Sequence, residues 1–313
     1  MKDVIRKLRP RLLSWLHRSG SAGRIALFVR RFSYKEVKKA TDEFRRVMYS
    51  NPDGVSAYKA KLEDGEVVLV KEVKFLDHEE NSSDGEFYRQ VQLLARLHHR
   101  HLLAVRGFSA GRKRYLVFDN IENGSLKEHL DDPLRTPLDW RTRLQIAIGV
   151  AAALEYLLHF SDPPMYSVSI SSSNIMLDQN FNVKVADISV HTSSTNSSAL
   201  ILHSSDSEGS DELQHENIIF QLGLLILELV TGQSSVKGCT DLVQWIQECS
   251  SSSSFHRMID PDLGDRYDSS ELRKLLAVAR VCIRSRYEPK FSIQQIFRYL
   301  QKKVENPYEL TYE

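Results

Sequence analysis

One stretch, Pro163 to Val190 (PPMYSVSISSSNIMLDQNFNVKVADISV), constrains this chain more than any other. A serine-rich run leads into Asn174-Ile175-Met176-Leu177. Asp178-Gln179-Asn180 follows, and Asp and Asn favour tight turns because their side chains bond the nearby backbone. Phe181, Val183 and Val185 then alternate with Asn182, Lys184 and Ala186, a period of two that predicts a strand. Asp187 stands at its end. A hairpin with Asn174 at its start and Asp187 at its end can offer two oxygen ligands to one hard metal ion.

Composition sets the outer bounds. The 313 residues suffice for one large bilobal domain or two small ones. With 42% hydrophobic and 27% charged residues the chain reads as globular. A net charge of +1 gives no case for nucleic acid as a partner. Cys239, Cys249 and Cys282 have neither metal-ligand spacing nor a disulfide pattern, which points to a reducing cytosol. The most apolar run, Ile218 to Val230, is too short to span a bilayer and predicts a buried helix. No signal-peptide pattern opens the sequence.

The Asn174 and Asp187 layout resembles the catalytic centre of eukaryotic protein kinases, and more closely that of plant receptor-like kinases of the Pelle-related class. Those proteins carry HRDIKSSNILLD, a strand, and then DFG. Here the first motif reads Ser167-Val168-Ser169-Ile170-Ser171-Ser172-Ser173-Asn174, and the second Asp187-Ile188-Ser189. The resemblance implies that Asn174 and Asp187 are the metal-binding positions. It also sets Ser169 at the catalytic base and Ser171 at the neighbouring lysine. The family's base is an Asp that accepts the substrate hydroxyl's proton. A serine has neither the pKa nor the charge for that role.

Other segments continue the resemblance. Phe32-Ser33-Tyr34-Lys35-Glu36 with Ala40-Thr41 looks like the lead into the small lobe of these kinases. Two strand-like pieces flank Glu63-Asp64-Gly65, a hairpin signal. Lys71 matches the strand lysine that meets the nucleotide phosphates. Leu69, Ala57 and the gatekeeper Phe118 match the adenine pocket. The glycine-rich loop is degenerate, with Ser50, Pro52 and Val55 at its three glycine positions. Gln90 replaces the acid that pairs with the lysine in the active state; an amide can hydrogen-bond but supplies no charge. His98-His99-Arg100-His101 follows a family turn pattern, and its adjacent spacing argues against a metal site. Ile218 stands where a helix Asp braces the catalytic loop. Lys290 stands for the late Arg, and His191 to Glu212 forms an activation segment without APE, read as a polar loop.

Residues 1–31 stand apart, with nine Lys or Arg against one acid. Ile5, Leu8, Leu12 and Trp15 share a helical face, although Pro10 weakens one continuous helix. Three readings stay open: a segment drawn to anionic lipid, a solvated basic tail, or an organelle transit peptide. Lys2 excludes an N-myristoylation start.

The resemblance therefore implies an α+β, two-lobed kinase-like domain. Residues 1–31 are its basic tail, 32–121 a mostly antiparallel small lobe with one helix, 122–304 a helical large lobe, and 305–313 a C-terminal tail. The expected function is that of a catalytically inactive homologue, a pseudokinase, serving as a scaffold or binding partner for other signalling proteins such as active receptor kinases. It would be cytoplasmic and peripheral at the plasma membrane. The alternative is a weak or atypical Ser/Thr kinase that binds ATP and Mg²⁺ through Lys71, Asn174 and Asp187.

Overall fold

The structure, a computed structural model, describes residues 29–50, 56–73, 83–111, 113–162, 164–165, 168–188, 207–248, 258–286 and 291–302. The tail up to residue 28, the loop 51–55 with Pro52 and Val55, Ser167, the serine run 189–206 and Lys290 lie outside the described residues.

The small lobe is a sheet of six strands: β1 (Arg30–Arg31), β2 (Val47–Ser50), β3 (Ser56–Lys61), β4 (Val67–Val73), β5 (Val105–Ser109) and β6 (Arg114–Asp119). Their spatial order is β1-β5-β6-β4-β3-β2. Only β1 on β5 is parallel; the other pairings are antiparallel. The basic tail of the sequence thus gives Arg30 and Arg31 to the sheet. Gly65 closes the β3–β4 hairpin at φ +88°, a conformation that costs glycine nothing.

Alternation along the strands divides the lobe into two cores. Ala57, Leu69, Leu116 and Phe118 face inward, where helix α2 (Ser83–Leu94) packs Phe87 and Val91 against them. Tyr58, Val68, Val70, Tyr115 and Val117 face outward. A second small-lobe helix, α1 (Tyr34–Ala40), covers that outer face with Val37 and Ala40. Ser33 and Glu36 start it with a capping box, each side chain satisfying the other's backbone N–H.

After α1 the chain makes an unusual turn. Asp42, Glu43 and Phe44 all adopt left-handed backbone, at φ 53°, 57° and 65°. For residues with a Cβ this costs on the order of 1–2 kcal/mol each. The Phe44 N–H donates to Thr41 Oγ1 at 3.2 Å. The Phe44 ring stacks on Tyr115 at 5.3 Å and meets Tyr58 edge-on at 5.2 Å. Aromatic packing on the outer face offsets the strain of the turn.

The large lobe comprises helices α3 (Leu126–Asp131), α4 (Trp140–Glu155), α5 (Ser207–Thr231), α6 (Ser235–Glu248), α7 (Ser269–Arg284) and α8 (Ile293–Leu300). A small hairpin of β7 (Ile175–Leu177) and β8 (Val183–Val185) sits beside them. The run Trp140–Phe160 is long and apolar enough to cross a membrane, but it is mostly buried and packs on α5 and α8 as a core helix. Arg143 lies inside that core at 1% exposure. Its Nη1 donates to Asp260 Oδ2 at 2.7 Å and to the Leu229 carbonyl at 2.9 Å, and its Nε donates to the Leu138 carbonyl at 2.9 Å. Helix α5 begins at Ser207, so Ser207 to Glu212, read from the sequence as polar loop, are helical. Acidic sequence at a helix start suits the positive end of the macrodipole.

Candidate functional site

The β7–β8 hairpin builds the site from below. Asp178 Oδ1 accepts the N–H groups of Asn180 and Asn182, both at 2.9 Å, and folds the turn predicted there. Ile175 pairs with Val185 and Leu177 with Val183. That register returns Asp187 to the level of Asn174, where the Ala186 N–H donates to the Asn174 carbonyl at 3.0 Å. The Ser169 N–H donates to the Asp187 carbonyl at 3.2 Å, and Val168 bridges Ile188. The Ser171 carbonyl accepts the N–H groups of Asn174 (2.9 Å) and Ile175 (3.1 Å). Ser171 thus shapes the loop through its backbone.

The side chains then converge. Asn174 Nδ2 donates to Ser169 Oγ at 3.0 Å and to Asp187 Oδ2 at 3.3 Å. Lys71 Nζ pairs with Asp187 Oδ1 at 3.2 Å and joins the two lobes. The pair is partly covered, with side-chain exposures of 19% for Lys71 and 31% for Asp187. Gln90, on α2, has a buried Oε1 without a hydrogen-bond partner among the described residues. Asp187, rather than Gln90, therefore partners Lys71 in this structure. The physical reason is charge: an ammonium gains more from a carboxylate than from a neutral amide.

Ala57, Leu69 and Phe118 lie in the inner core at 0, 2 and 5% exposure. Leu69 pairs with Phe118 across β4 and β6, and Ala57 with Lys71 across β3 and β4. The side chains that the resemblance sets around an adenine belong to the inner core here, with little surface left open on them.

One site residue was not foreseen. Gln221, on α5, accepts the Ile170 N–H at 2.7 Å through its Oε1. Ile218, at the family's bracing position, is 1% exposed in the core. Three residues along α5 an amide now holds the backbone of the loop that presents Ser169 and Asn174. The signal was a polar residue in an apolar run, Gln221, which shares that run with Glu228.

One carboxylate and one amide oxygen fit a hard cation whose other ligands are phosphate oxygens and water. Among the described residues no group of three or more His, Cys, Asp or Glu converges. Both Asp187 oxygens are engaged, and Asn174 turns its nitrogen to them. Asn174 and Asp187 would hold Mg²⁺ once released from Lys71 and from each other. The ion would neutralise phosphate charge. At the position that the resemblance gives to the base stands Ser169, which brings a hydroxyl and no carboxylate.

Residues 53–243 match the family described as protein tyrosine and serine/threonine kinase. A probable receptor-like protein kinase of Arabidopsis thaliana is 36% identical over 288 residues, covering 87% of this chain and 43% of that protein. The proline-rich receptor-like protein kinase PERK2 of the same plant is 30% identical over 307 residues, covering 91% and 42%. The chain thus spans less than half the length of these two relatives. The solved pseudokinase domain of BIR2, an immune regulator of the RLK/Pelle family, superposes with a TM-score of 0.71 at 25% identity, covering 89% of this chain and 86% of that one. With a family match over more than half its residues, the chain belongs to the protein tyrosine and serine/threonine kinases, and its homologues are plant receptor-like kinases.

Proposed function

We propose that this protein is a pseudokinase, a kinase fold kept as a binding partner in signalling. One observation carries the reading: the base position holds Ser169, whose Oγ only accepts a hydrogen bond from Asn174. Loss of a positioned base lowers turnover by about 10²- to 10⁴-fold. Gln90 supports it by leaving Lys71 to neutralise Asp187, the group a metal would need. The likeness to the BIR2 pseudokinase domain supports it from outside. The partners would be other signalling proteins, active receptor kinases among them. The place of action would be the cytoplasm, at the plasma membrane, with the basic segment 1–31 drawn to anionic lipid.

A second reading rests on the convergence of Lys71, Asn174 and Asp187 within hydrogen-bond distance. It makes the chain a weak nucleotide-binding Ser/Thr kinase. Two measurements separate the readings. Labelled-phosphate transfer to a generic protein substrate is expected to equal that of a Lys71→Ala control, and Ser169→Asp alone is expected not to raise it. ATP is expected to give a small thermal shift that EDTA abolishes, because a ligand stabilises only through the folded state it binds. Transfer that vanishes in Lys71→Ala would overturn the pseudokinase reading.

A further inference from the structure

The outer face of the small lobe has an exposed surface that the kinase cleft does not use. It is made of β1, α1, the left-handed turn, the start of β2 and the end of β3. Lys35, Arg45, Arg46 and Lys61 are exposed there and carry no ion pair among the described residues. The acids nearby are largely spent internally: Glu36 pairs with Arg30 at 3.3 Å, Glu43 with Lys38 at 3.4 Å and Glu63 with Lys39 at 3.0 Å, leaving Asp42. A groove of about 400 Å³ runs across this face, lined by the cations Arg30, Lys39, Arg46 and Lys61 and by the acids Glu36, Asp42 and Glu63. That shared lining brings β1, α1, the turn after it and the end of β3 together on one surface.

Apolar groups stand among these cations. Tyr34 is 46% exposed and Val47 53%, both large hydrophobic side chains left in the open. The ring of Tyr34 lies 5.9 Å from that of Phe44, immediately before Arg45, Arg46 and Val47. The left-handed turn fixes this adjacency, because the half-buried Phe44 ring anchors it to Tyr115 and Tyr58. Cations interleaved with a tyrosine and an aliphatic side chain suit the boundary between headgroups and acyl chains.

We propose that this face docks on an anionic lipid bilayer and orients the small lobe against it. Charge complementarity selects the occupant. The tail joins the described structure at Val29, directly before β1, and it is itself strongly basic. Tail and face would repel each other, so they serve a common anionic partner. The inference goes beyond the pseudokinase reading and stands whether or not phosphate is transferred.

The test uses the full chain and vesicles of phosphatidylcholine with and without phosphatidylserine. The face variant carries Lys35→Gln, Arg45→Gln, Arg46→Gln and Lys61→Gln. Each basic residue near an anionic surface is worth about fivefold in partitioning, so the four together should lower binding by about two to three orders of magnitude. A control variant, Arg141→Gln with Arg273→Gln, Arg284→Gln and Arg298→Gln on the large lobe, should bind like the unmutated chain. Circular dichroism must show equal folding, and single Lys35→Glu serves if the quadruple variant fails to fold. A face variant that binds as well as the control overturns the proposal. So does binding to heparin or single-stranded RNA at a salt concentration where phosphatidylserine vesicles are not bound.

Discussion

Two polar networks in this chain have met opposite fates. Arg143, Asp260 and the carbonyls of Leu138 and Leu229 form a closed set inside the large lobe, with Arg143 sealed from water. Lys71, Asp187, Asn174 and Ser169 form a second set at the mouth between the lobes, open to water on one side. The first keeps both members of its ion pair. The second holds Ser169, and Gln90 beside it, where the resemblance to kinases would set acids. Burial explains the difference. A buried charge left without its partner costs about 3–5 kcal/mol, so neither member of the inner pair can change alone. A half-exposed charge is rehydrated when its partner goes, so residues in the cleft can be exchanged one by one without unfolding the chain.

The largest expected effect therefore lies away from the cleft. Arg143→Met should destabilise the large lobe by about 3–5 kcal/mol, because it leaves the Asp260 carboxylate without its cation. Asp260→Asn should act in the same direction. Denaturant unfolding followed by tryptophan fluorescence checks both, since Trp140 and Trp245 lie in this lobe. A loss below that of a surface substitution would remove burial as the reason for the contrast.

Next in size comes the pH response of the hinge between the networks. Burial pushes the His101 imidazole down to about 4, although its Nδ1–H donates to the Val183 carbonyl. Burial also lowers His99. A histidine kept neutral in the fold binds its proton more readily when unfolded. Its stabilising contribution is present above pH 6.5 and is lost as pH falls from 6.5 towards 4. Thermal midpoints should fall across that window, and the fall should be smaller in His101→Gln. An equal slope in the variant would assign the response to other groups.

Gln221 sharpens the comparison, because it lies between the two networks. Gln221→Ala leaves the Ile170 N–H without its acceptor and should cost about 1–3 kcal/mol. Amide exchange should quicken at Ile170 and Asn174 and stay unchanged around Arg143. Ile218→Asp should not compensate, since position 218 is buried among apolar side chains and a carboxylate there would have no partner. If Ile218→Asp restored protection, the acid position would still be served by the old geometry.

Much of this was legible in the sequence. Asp178-Gln179-Asn180 and the alternation after it announced the hairpin that joins Asn174 to Asp187. Glu63-Asp64-Gly65 announced the β3–β4 turn. The Val67 to Val73 run announced a strand, and the resemblance placed Lys71 in it. The contacts that give the site its character were not legible, because they depend on three-dimensional register. Lys71 and Asp187 lie 116 residues apart and Ile170 and Gln221 51 apart. No local pattern says which side chain inherits a partner when the family's acid is missing. The turn at Asp42, Glu43 and Phe44 was hidden for another reason: it contains no glycine to mark left-handed backbone, and only the rings of Tyr58 and Tyr115 make it tolerable. Helix α1 was the opposite case, announced by Ser33 and Glu36 at capping-box spacing within a segment read only by its likeness to kinases.

The smallest expected effect concerns the cleft pair itself. Lys71→Met removes the one ionic link described between the lobes, yet the pair is partly hydrated on both sides. Exposed pairs contribute about 0–1 kcal/mol, and this more covered pair should lie at the top of that range, so the unfolding midpoint should move little. Asp187→Asn should be equally mild, and the double variant should be close to the sum of the two, with a coupling under about 1 kcal/mol. The same variants should differ in metal binding. Lys71→Met frees one Asp187 oxygen and should strengthen the stabilisation seen with Mg²⁺ alone, whereas Asp187→Asn should abolish it. A thermal-shift titration with the metal reads both. A coupling as large as the cost of breaking Arg143 from Asp260 would show that the cleft pair is a structural clasp, and the contrast between the two networks would collapse.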